Sequence, residues 1–279
     1  MIKNLIINTK SAIAAASITA AIASCLSLAA CRPAPSEALA QAEDYLSEQA
    51  LSYVVMPRDV DNKIIEYTGF TVAFNPLMHQ PNYVVWELRD NELDGPNTRK
   101  DAKFMQDTRV DGCATLDDYR GSGFDRGHMA PAADMKWDPA AMADCHFLTN
   151  ISPQTHKLNN GAWNTLENRC RNWAKKFGRV IIITGPVLSD KLNYTIGRSG
   201  IPVPERFFKV ILAPDENPPR GLAFIMENSQ ISQGLDQTVT TIRQVEEITG
   251  FDFFSALPDD QEQMAETSNN YLSWDRISR

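Results

Sequence analysis

The amino-acid sequence predicts a single α+β domain in which a set of strands is flanked by a few helices. Short apolar runs bounded by Gly, Pro and Asn recur along the chain, which is the pattern of strands. Two longer segments, 158–177 and 235–250, favour helices. The 279 residues are 43% hydrophobic and 22% charged, which is ordinary for a globular protein with one core.

The predicted elements follow one another without any internal repeat. A first helix is expected over 41–55, and the segment 89–123 is polar and irregular. The helix over 235–250 ends at Gly250, and the last twenty residues are polar and expected to be loose. Gly185-Pro186 is expected to end one strand. The predicted strands cover residues 64–74, 83–88, 179–184, 207–212 and 223–226.

The N-terminus has the layout of a signal peptide. Lys3 and Lys10 precede an uncharged apolar run over 11–30. The run ends in Leu28-Ala29-Ala30-Cys31, which is similar to the lipobox of bacterial lipoproteins, so we expect a lipid anchor on Cys31 and an extracytoplasmic, envelope-bound protein. An uncleaved membrane span and cleavage after Ala40, which would give a periplasmic or secreted protein, are the alternatives.

These observations divide the chain into four parts. Residues 1–30 are the expected signal peptide, 31–44 a Pro- and Ala-rich tether, 45–265 the folded domain and 266–279 a polar tail. An extracytoplasmic compartment permits one disulfide among Cys113, Cys145 and Cys170, and the sequence does not say which pair forms it.

The net charge of −8 gives no global attraction for a polyanion. Binding of nucleic acid therefore requires a local basic site, and one segment offers it. Residues 121–131 read GSGFDRGHMAP, with three glycines that let the backbone bend sharply. Arg126 can hold a phosphate through its two-pronged guanidinium, and His128 titrates near neutral pH and can accept a proton from water.

A second polar pattern follows about thirty residues later. Asn159, Trp163, Glu167 and Arg171 recur at every fourth position. On a helix they form a stripe that turns by roughly 40° per step. Taken alone, the stripe favours a solvated helix face anchored by a tryptophan. Together with the histidine motif it indicates a site.

The segment Asp125-Arg126-Gly127-His128, followed by Met129-Ala130-Pro131, resembles the signature of the DNA/RNA non-specific endonucleases. That family includes Serratia-type nucleases and endonuclease G. The resemblance extends over roughly residues 64 to 260, through the blocks 150–154, 158–167, 184–187, 204–212 and 249–254.

The resemblance implies a ββα-metal (His-Me finger) nuclease fold, with a central antiparallel sheet flanked by helices. It implies His128 as general base and Asn159 as the only protein ligand of Mg²⁺, with Mn²⁺ as a substitute. It further implies that Glu167 positions a water molecule on the metal. The remaining implied roles are phosphate binding by Arg126 and Arg171, support by Asn150, and a further upstream cation at Arg99 or Lys100.

The implied activity is hydrolysis of DNA and RNA, single- or double-stranded, to products with 5′-phosphates. Contacts confined to phosphate and metal read no base edge, so little sequence selectivity is expected. Two other functions stay open: a non-catalytic nucleic-acid-binding surface protein, and a metal-dependent phosphohydrolase of small phosphate esters. A homodimer is a further expectation from the family.

Overall fold

The computed structural model describes residues 53–100, 102–188, 194–231 and 234–275. The strands in this part of the chain are β1 (Val54–Val55), β2 (Lys63–Tyr67), β3 (Phe70–Asn75), β4 (Gln80–Arg89), β5 (Asp125–His128), β6 (Ile151–Gln154), β7 (Arg179–Val187), β8 (Thr195–Ile196), β9 (Ile201–Pro202), β10 (Arg206–Ala213), β11 (Arg220–Glu227), β12 (Val239–Thr240) and β13 (Asp252–Phe253).

The helices are mostly short. They are α1 (Leu116–Tyr119), α2 (Pro139–Asp144), α3 (His156–Leu158), α4 (Asn164–Phe177), α5 (Ile242–Thr249), α6 (Asp259–Thr267) and α7 (Tyr271–Asp275). Single 3₁₀ turns lie at Asp90–Glu92, Ala132–Asp134, Leu148–Asn150 and Leu235–Thr238.

A seven-stranded sheet forms the centre of the molecule. Its strand order is β12-β11-β10-β7-β4-β3-β2, and every neighbouring pair is antiparallel. The strand pairs β1–β13, β5–β6 and β8–β9 lie outside it. Helices packed around an antiparallel sheet confirm the predicted α+β class.

The central sheet is buried on both faces. Side chains alternate along a strand, so in β7 Val180 and Ile182 join one hydrophobic cluster while Ile181 and Ile183 join the other. The first cluster includes Leu166 and Trp173 of α4, and the second includes Val245 of α5. Each such side chain contributes roughly 1.5–3 kcal/mol when fully buried. The result is a layer of helices on each side of the sheet.

Three predicted boundaries are wrong. The 158–177 helix is interrupted by a π-helical turn at Asn159–Trp163. Within 235–250 only Ile242–Thr249 is α-helical, although Gly250 ends the helix as predicted, with a left-handed φ of 73°. Val54–Val55 form a strand instead of the end of a helix, and 41–52 lie outside the described residues.

The expected loose tail is also wrong. α6 and α7 continue the fold to Asp275, and Trp274 is 1% exposed. Its ring packs edge-on against Trp173 and Phe177, with centroids 5.2 Å apart in both pairs. Two aromatic side chains, Tyr271 and Trp274, thus attach an otherwise polar segment to the core.

The sequence permitted one disulfide among Cys113, Cys145 and Cys170, and all three are buried free thiols in the structure. Within the described part of the chain, no helix has the length and apolar character needed to cross a membrane. The predicted signal peptide, Cys31 and the tether lie outside the described residues.

Candidate active site

The glycine-rich motif folds into the first strand of a small antiparallel hairpin. β5 pairs with β6 so that His128 lies opposite Ile151. Gly127 faces the buried side chain of Gln154 so closely that an added Cβ would overlap it. A larger residue at this position would have to displace the Gln154 side chain.

Asn150 fixes the chain just beyond His128. Its Oδ1 accepts a hydrogen bond from the Ala130 amide at 2.9 Å, and its Nδ2 donates to the carbonyl oxygens of Ala130 and Cys145 at 2.9 and 2.8 Å. The side chain is completely buried. Because the polar atoms of this buried amide are hydrogen-bonded to backbone groups, the side chain stabilises the fold and does not contact substrate. Asn150 therefore holds the hairpin through the backbone on both sides of it.

His128 lies half-buried against two aromatic rings. The ring centroids of Phe104 and His146 are each 5.1 Å from its own. The Trp163 indole donates a 3.3 Å hydrogen bond to the His128 carbonyl oxygen, which ties the hairpin to the next helix. Burial, together with nearby positive charge, lowers the pKa of His128 to about 3. The imidazole is therefore neutral at physiological pH and can accept a proton.

Asn159 lies at the kink after α3 and is joined to the histidine strand by Asp125. Its Nδ2 donates to Asp125 Oδ2 at 2.9 Å, and His156 Nδ1 contacts the same oxygen at 2.9 Å. The turn is π-helical, and Gly161 within it has φ −105° and ψ −111°. Single π-helical turns often occur at functional sites. Because the amide nitrogen is engaged, the carbonyl oxygen of Asn159 is the atom left for a metal ion.

Glu167 is an ionisable group in an unusual environment. Burial raises the pKa of its carboxyl to about 7, and the nearby charge of Lys209 opposes that rise. Among the residues that the structure describes, none donates a hydrogen bond to this carboxylate. A poorly solvated carboxylate without a donor is suited to orienting a water molecule.

Lys209 is a part of the site that the sequence reasoning missed. It is 0% exposed, and its Nζ lies 4.4 Å from the centre of the Trp163 ring and 5.2 Å from that of Trp86. Burial lowers its pKa, whereas the carboxylate of Glu167 raises it. The available signal was a lone lysine within the apolar strand β10. Its charge favours the ionised form of Glu167.

Arg171 contacts other protein side chains in this structure, whereas the resemblance implied that it binds phosphate. Its guanidinium donates to Asp134 Oδ1 at 2.6 Å and to Asn168 Oδ1 at 3.0 Å, and its side chain is only 15% exposed. Asp134 also accepts a 3.1 Å hydrogen bond from the Trp86 indole. These contacts occupy Arg171 with internal partners, and phosphate binding by Arg171 stays a prediction.

Two other arginines are placed to meet an anion. Arg126 is exposed, and its guanidinium lies 4.4 Å from the centre of the Phe104 ring. Arg99 is exposed, and its charge lowers the pKa of both His128 and Glu167. Of the two predicted upstream cations, Arg99 is the one whose charge acts on His128 and Glu167.

A histidine on a two-stranded hairpin, followed by an asparagine and a glutamate on the next helical segment, defines a ββα nuclease site. The chain belongs to the DNA/RNA non-specific endonuclease family, whose model matches residues 47–260. Members of this family typically depend on a divalent metal ion.

Known proteins of this family support the assignment. The chain is 33% identical over 212 residues to mitochondrial nuclease EXOG of Xenopus laevis, covering 70% of this chain and 59% of that protein. It is 33% identical over 199 residues to mitochondrial endonuclease G of Homo sapiens, covering 66% and 67%. The Xenopus relative is therefore considerably longer than the matched region.

A solved structure has the same fold. A crystal structure of an EndoG/EndoGI complex, described as showing the mechanism of EndoG inhibition, matches with a TM-score of 0.67 at 25% identity. The match covers 72% of this chain and 89% of that one. The predicted family and the predicted ββα-metal fold are thus confirmed.

The comparisons overturn the predicted location. Both curated relatives named above are mitochondrial nucleases, whereas the N-terminal pattern favoured an extracytoplasmic, lipid-anchored protein. That prediction is wrong. A short basic start followed by an apolar run does not by itself identify the membrane to which a chain is directed.

Proposed function

We propose that this chain is a Mg²⁺-dependent, sequence-non-specific endonuclease that hydrolyses DNA and RNA to products with 5′-phosphates. The observation that carries the proposal is the linkage between the two halves of the site. Asp125, three residues before His128 on the same strand, receives the hydrogen bond that orients Asn159. The general base and the metal ligand are thereby held by one rigid unit.

The residues fit a hard divalent ion. Mg²⁺ prefers oxygen ligands and keeps several of its waters, so one protein ligand with a carboxylate nearby is sufficient. Asn159 offers its carbonyl oxygen, and Glu167 offers a carboxylate that lacks a donor among the described residues. Mn²⁺ has similar preferences and should substitute.

The chemistry then follows from the positions of the side chains. His128 removes a proton from the attacking water, which contributes roughly 10²–10⁴-fold to the rate. Glu167 orients a water molecule beside Asn159. A metal ion held by Asn159 would supply positive charge that stabilises the negative charge developing during cleavage. Arg126 and Arg99 hold the phosphate from the exposed side.

Arg171 acts indirectly in this scheme. Arg171 lies on the same helix as Glu167, one turn further along, and forms an ion pair with the buried Asp134. The pair keeps α4 in a fixed rotation, so we propose that Arg171 positions Glu167 instead of binding phosphate.

The side chains of the site give no sequence selectivity. Those proposed to meet the substrate bind phosphate, water or metal, and phosphate contacts carry no base information. Water as the nucleophile also removes any need for a ribose 2′-hydroxyl. Both DNA and RNA are therefore expected substrates.

Glu167 should set the acid side of the pH profile. Its pKa of about 7 means that the carboxylate is lost as the pH falls through neutrality, whereas His128, with a pKa of about 3, stays neutral. We expect kcat/KM to rise with pH around the pKa of Glu167. Lys209→Met removes a charge that favours the carboxylate, so this rise should move to higher pH.

The pH profile of DNA cleavage at fixed Mg²⁺ measures this effect. Lys175→Met is a matched control, because Lys175 is exposed on α4 and should leave the profile unchanged. Identical profiles for Lys209→Met and the wild type would exclude electrostatic control of Glu167 by Lys209.

The proposed function is tested with plasmid DNA, a structured RNA and p-nitrophenyl phosphate, each with and without EDTA. We expect cleavage of both polymers, its loss with EDTA and its recovery with added Mg²⁺. Binding of the polymers without cleavage would favour a nucleic-acid-binding protein, and hydrolysis of the small ester alone would favour a phosphohydrolase. The predicted homodimer is tested separately by measuring molar mass in solution.

A further inference from the structure

His128 also belongs to a second group of side chains that could bind a metal ion. His128, Cys145 and His146 each offer one ligand atom, and these atoms lie within 4.8 Å of one another. Cys145 and His146 are 0% and 1% exposed, whereas His128 is half-buried. The group is therefore an inner compartment that borders the site on the His128 side.

The two histidines have nitrogen atoms with no protein partner. His146 Nδ1 contacts the Met142 carbonyl oxygen at 2.9 Å and must donate its proton there. That tautomer leaves a lone pair on His146 Nε2, which is buried and has no hydrogen-bond partner among the described residues. His128 Nε2 is buried and unpartnered in the same way. A buried nitrogen without a partner is costly, and a ligand would relieve that cost.

The chemistry of these atoms differs from that of the Asn159 site. Two imidazole nitrogens and a sulfur suit Zn²⁺, whereas Mg²⁺ requires oxygen. Zinc commonly binds three protein ligands and a water, at about 2.0–2.1 Å to nitrogen and about 2.3 Å to sulfur. Cys145 Sγ lies 3.3 Å from His146 Nδ1 and donates to the Met142 carbonyl oxygen at 3.2 Å, so its side chain must rotate away from these contacts to meet the two histidines at one ion.

We propose that His128, Cys145 and His146 form a zinc site that inhibits the enzyme. This inference rests on the proposed function, because it assigns the general base a second, competing role. On binding, a Zn–S bond forms and the Cys145 proton passes to solvent. Coordination through His128 Nε2 leaves the ring proton on Nδ1, so neither nitrogen of His128 is free to accept a proton from water.

Two features oppose binding and limit its strength. Burial raises the pKa of Cys145 to about 12, so the thiol loses its proton only as the metal binds. Arg99 is also close enough to lower the pKa of His146 by its positive charge.

Cobalt is a spectroscopic probe of this site that does not depend on catalysis. Titration of the wild-type protein with Co²⁺ should produce a thiolate-to-cobalt absorption band, and added Zn²⁺ should abolish it. The band should be lost in Cys145→Ser and weakened in His146→Gln. It should persist in Cys113→Ser, a control that replaces another buried free cysteine.

Inhibition by zinc is measured at saturating Mg²⁺, relative to each variant's own rate without zinc. Loss of one ligand should raise the zinc concentration for half-inhibition by about ten-fold or more in Cys145→Ser and His146→Gln, with no change in Cys113→Ser. Thermal unfolding establishes that each variant is folded. His146→Gln provides the test if Cys145→Ser does not fold.

The outcomes separate this proposal from the proposed function. No cobalt–thiolate band in the wild type, or a band that survives in Cys145→Ser, would overturn the zinc site. Equal inhibition of all variants, relieved by excess Mg²⁺, would place inhibitory zinc at Asn159 and also overturn it. The expected band in a protein that fails to cleave nucleic acid would support the zinc site and refute the nuclease.

Discussion

Replacing His128 by alanine is expected to lower the rate of DNA cleavage by at least about a hundred-fold. The physical reason is loss of the neutral imidazole that accepts the proton of the attacking water. The hairpin should persist, because Asn150 and the β5–β6 pairing hold it through backbone hydrogen bonds. Initial rates on plasmid DNA at saturating Mg²⁺ measure the effect.

His79→Asn is a suitable control for this experiment. His79 lies in the turn between β3 and β4 with φ 57°, a conformation that asparagine tolerates. Its activity should match that of the wild type. A folded His128→Ala protein that keeps more than a tenth of the wild-type rate would be incompatible with His128 as general base.

Replacing Asn159 by alanine should reduce activity and its response to magnesium together. The uncharged carbonyl oxygen that we propose as the metal ligand lies at the kink of the helix, and the variant removes it. We expect the rate to fall by about 10- to 100-fold or more and the Mg²⁺ concentration for half-maximal activity to rise. A magnesium titration of cleavage rates measures both effects.

Asn160→Ala is the matched control for the metal ligand. Asn160 is the next residue in the same π-helical turn and is exposed. Its magnesium titration should be indistinguishable from that of the wild type. If Asn159→Ala gave the same curve as this control, the proposed metal ligand would be wrong.

Much of the site could be predicted because its chemistry is concentrated in two short segments. The glycines around His128 indicated a tight backbone, and Gly127 does lie where a side chain would collide with Gln154. The four-residue spacing placed Asn159 and Glu167 on one stripe of a predicted helix. The π-helical turn between them could not be predicted, since a single widened turn hardly changes the periodicity of the sequence.

The partners of the predicted residues were the part that sequence could not supply. His146 and Lys209 come from α2's end and from β10, and only the folded chain brings them to His128 and Glu167. The same applies to Arg171, because an arginine can bind a phosphate as well as a carboxylate. Its pairing with the buried Asp134 depends on long-range packing.

Strand β7 shows that pairing with a neighbouring strand can override the expectation that Gly-Pro ends a strand. Gly185-Pro186 was expected to end it, yet β7 continues to Val187. Its pairing with β4 stops at Thr184, whereas its pairing with β10 goes on past Pro186. Proline is tolerated there because the strand has a neighbour on only one side, so a missing N–H costs little.

We propose that this site hydrolyses internal phosphodiester bonds of DNA and RNA by a metal-assisted attack of water. The proposal can be checked by incubating circular single-stranded DNA and circular RNA with the wild type and with His128→Ala, followed by analysis of the ends. We expect Mg²⁺-dependent opening of both circles by the wild type only, with 5′-phosphate and 3′-hydroxyl ends that a ligase can reseal. Intact circles, or ends carrying a 5′-hydroxyl, would contradict it.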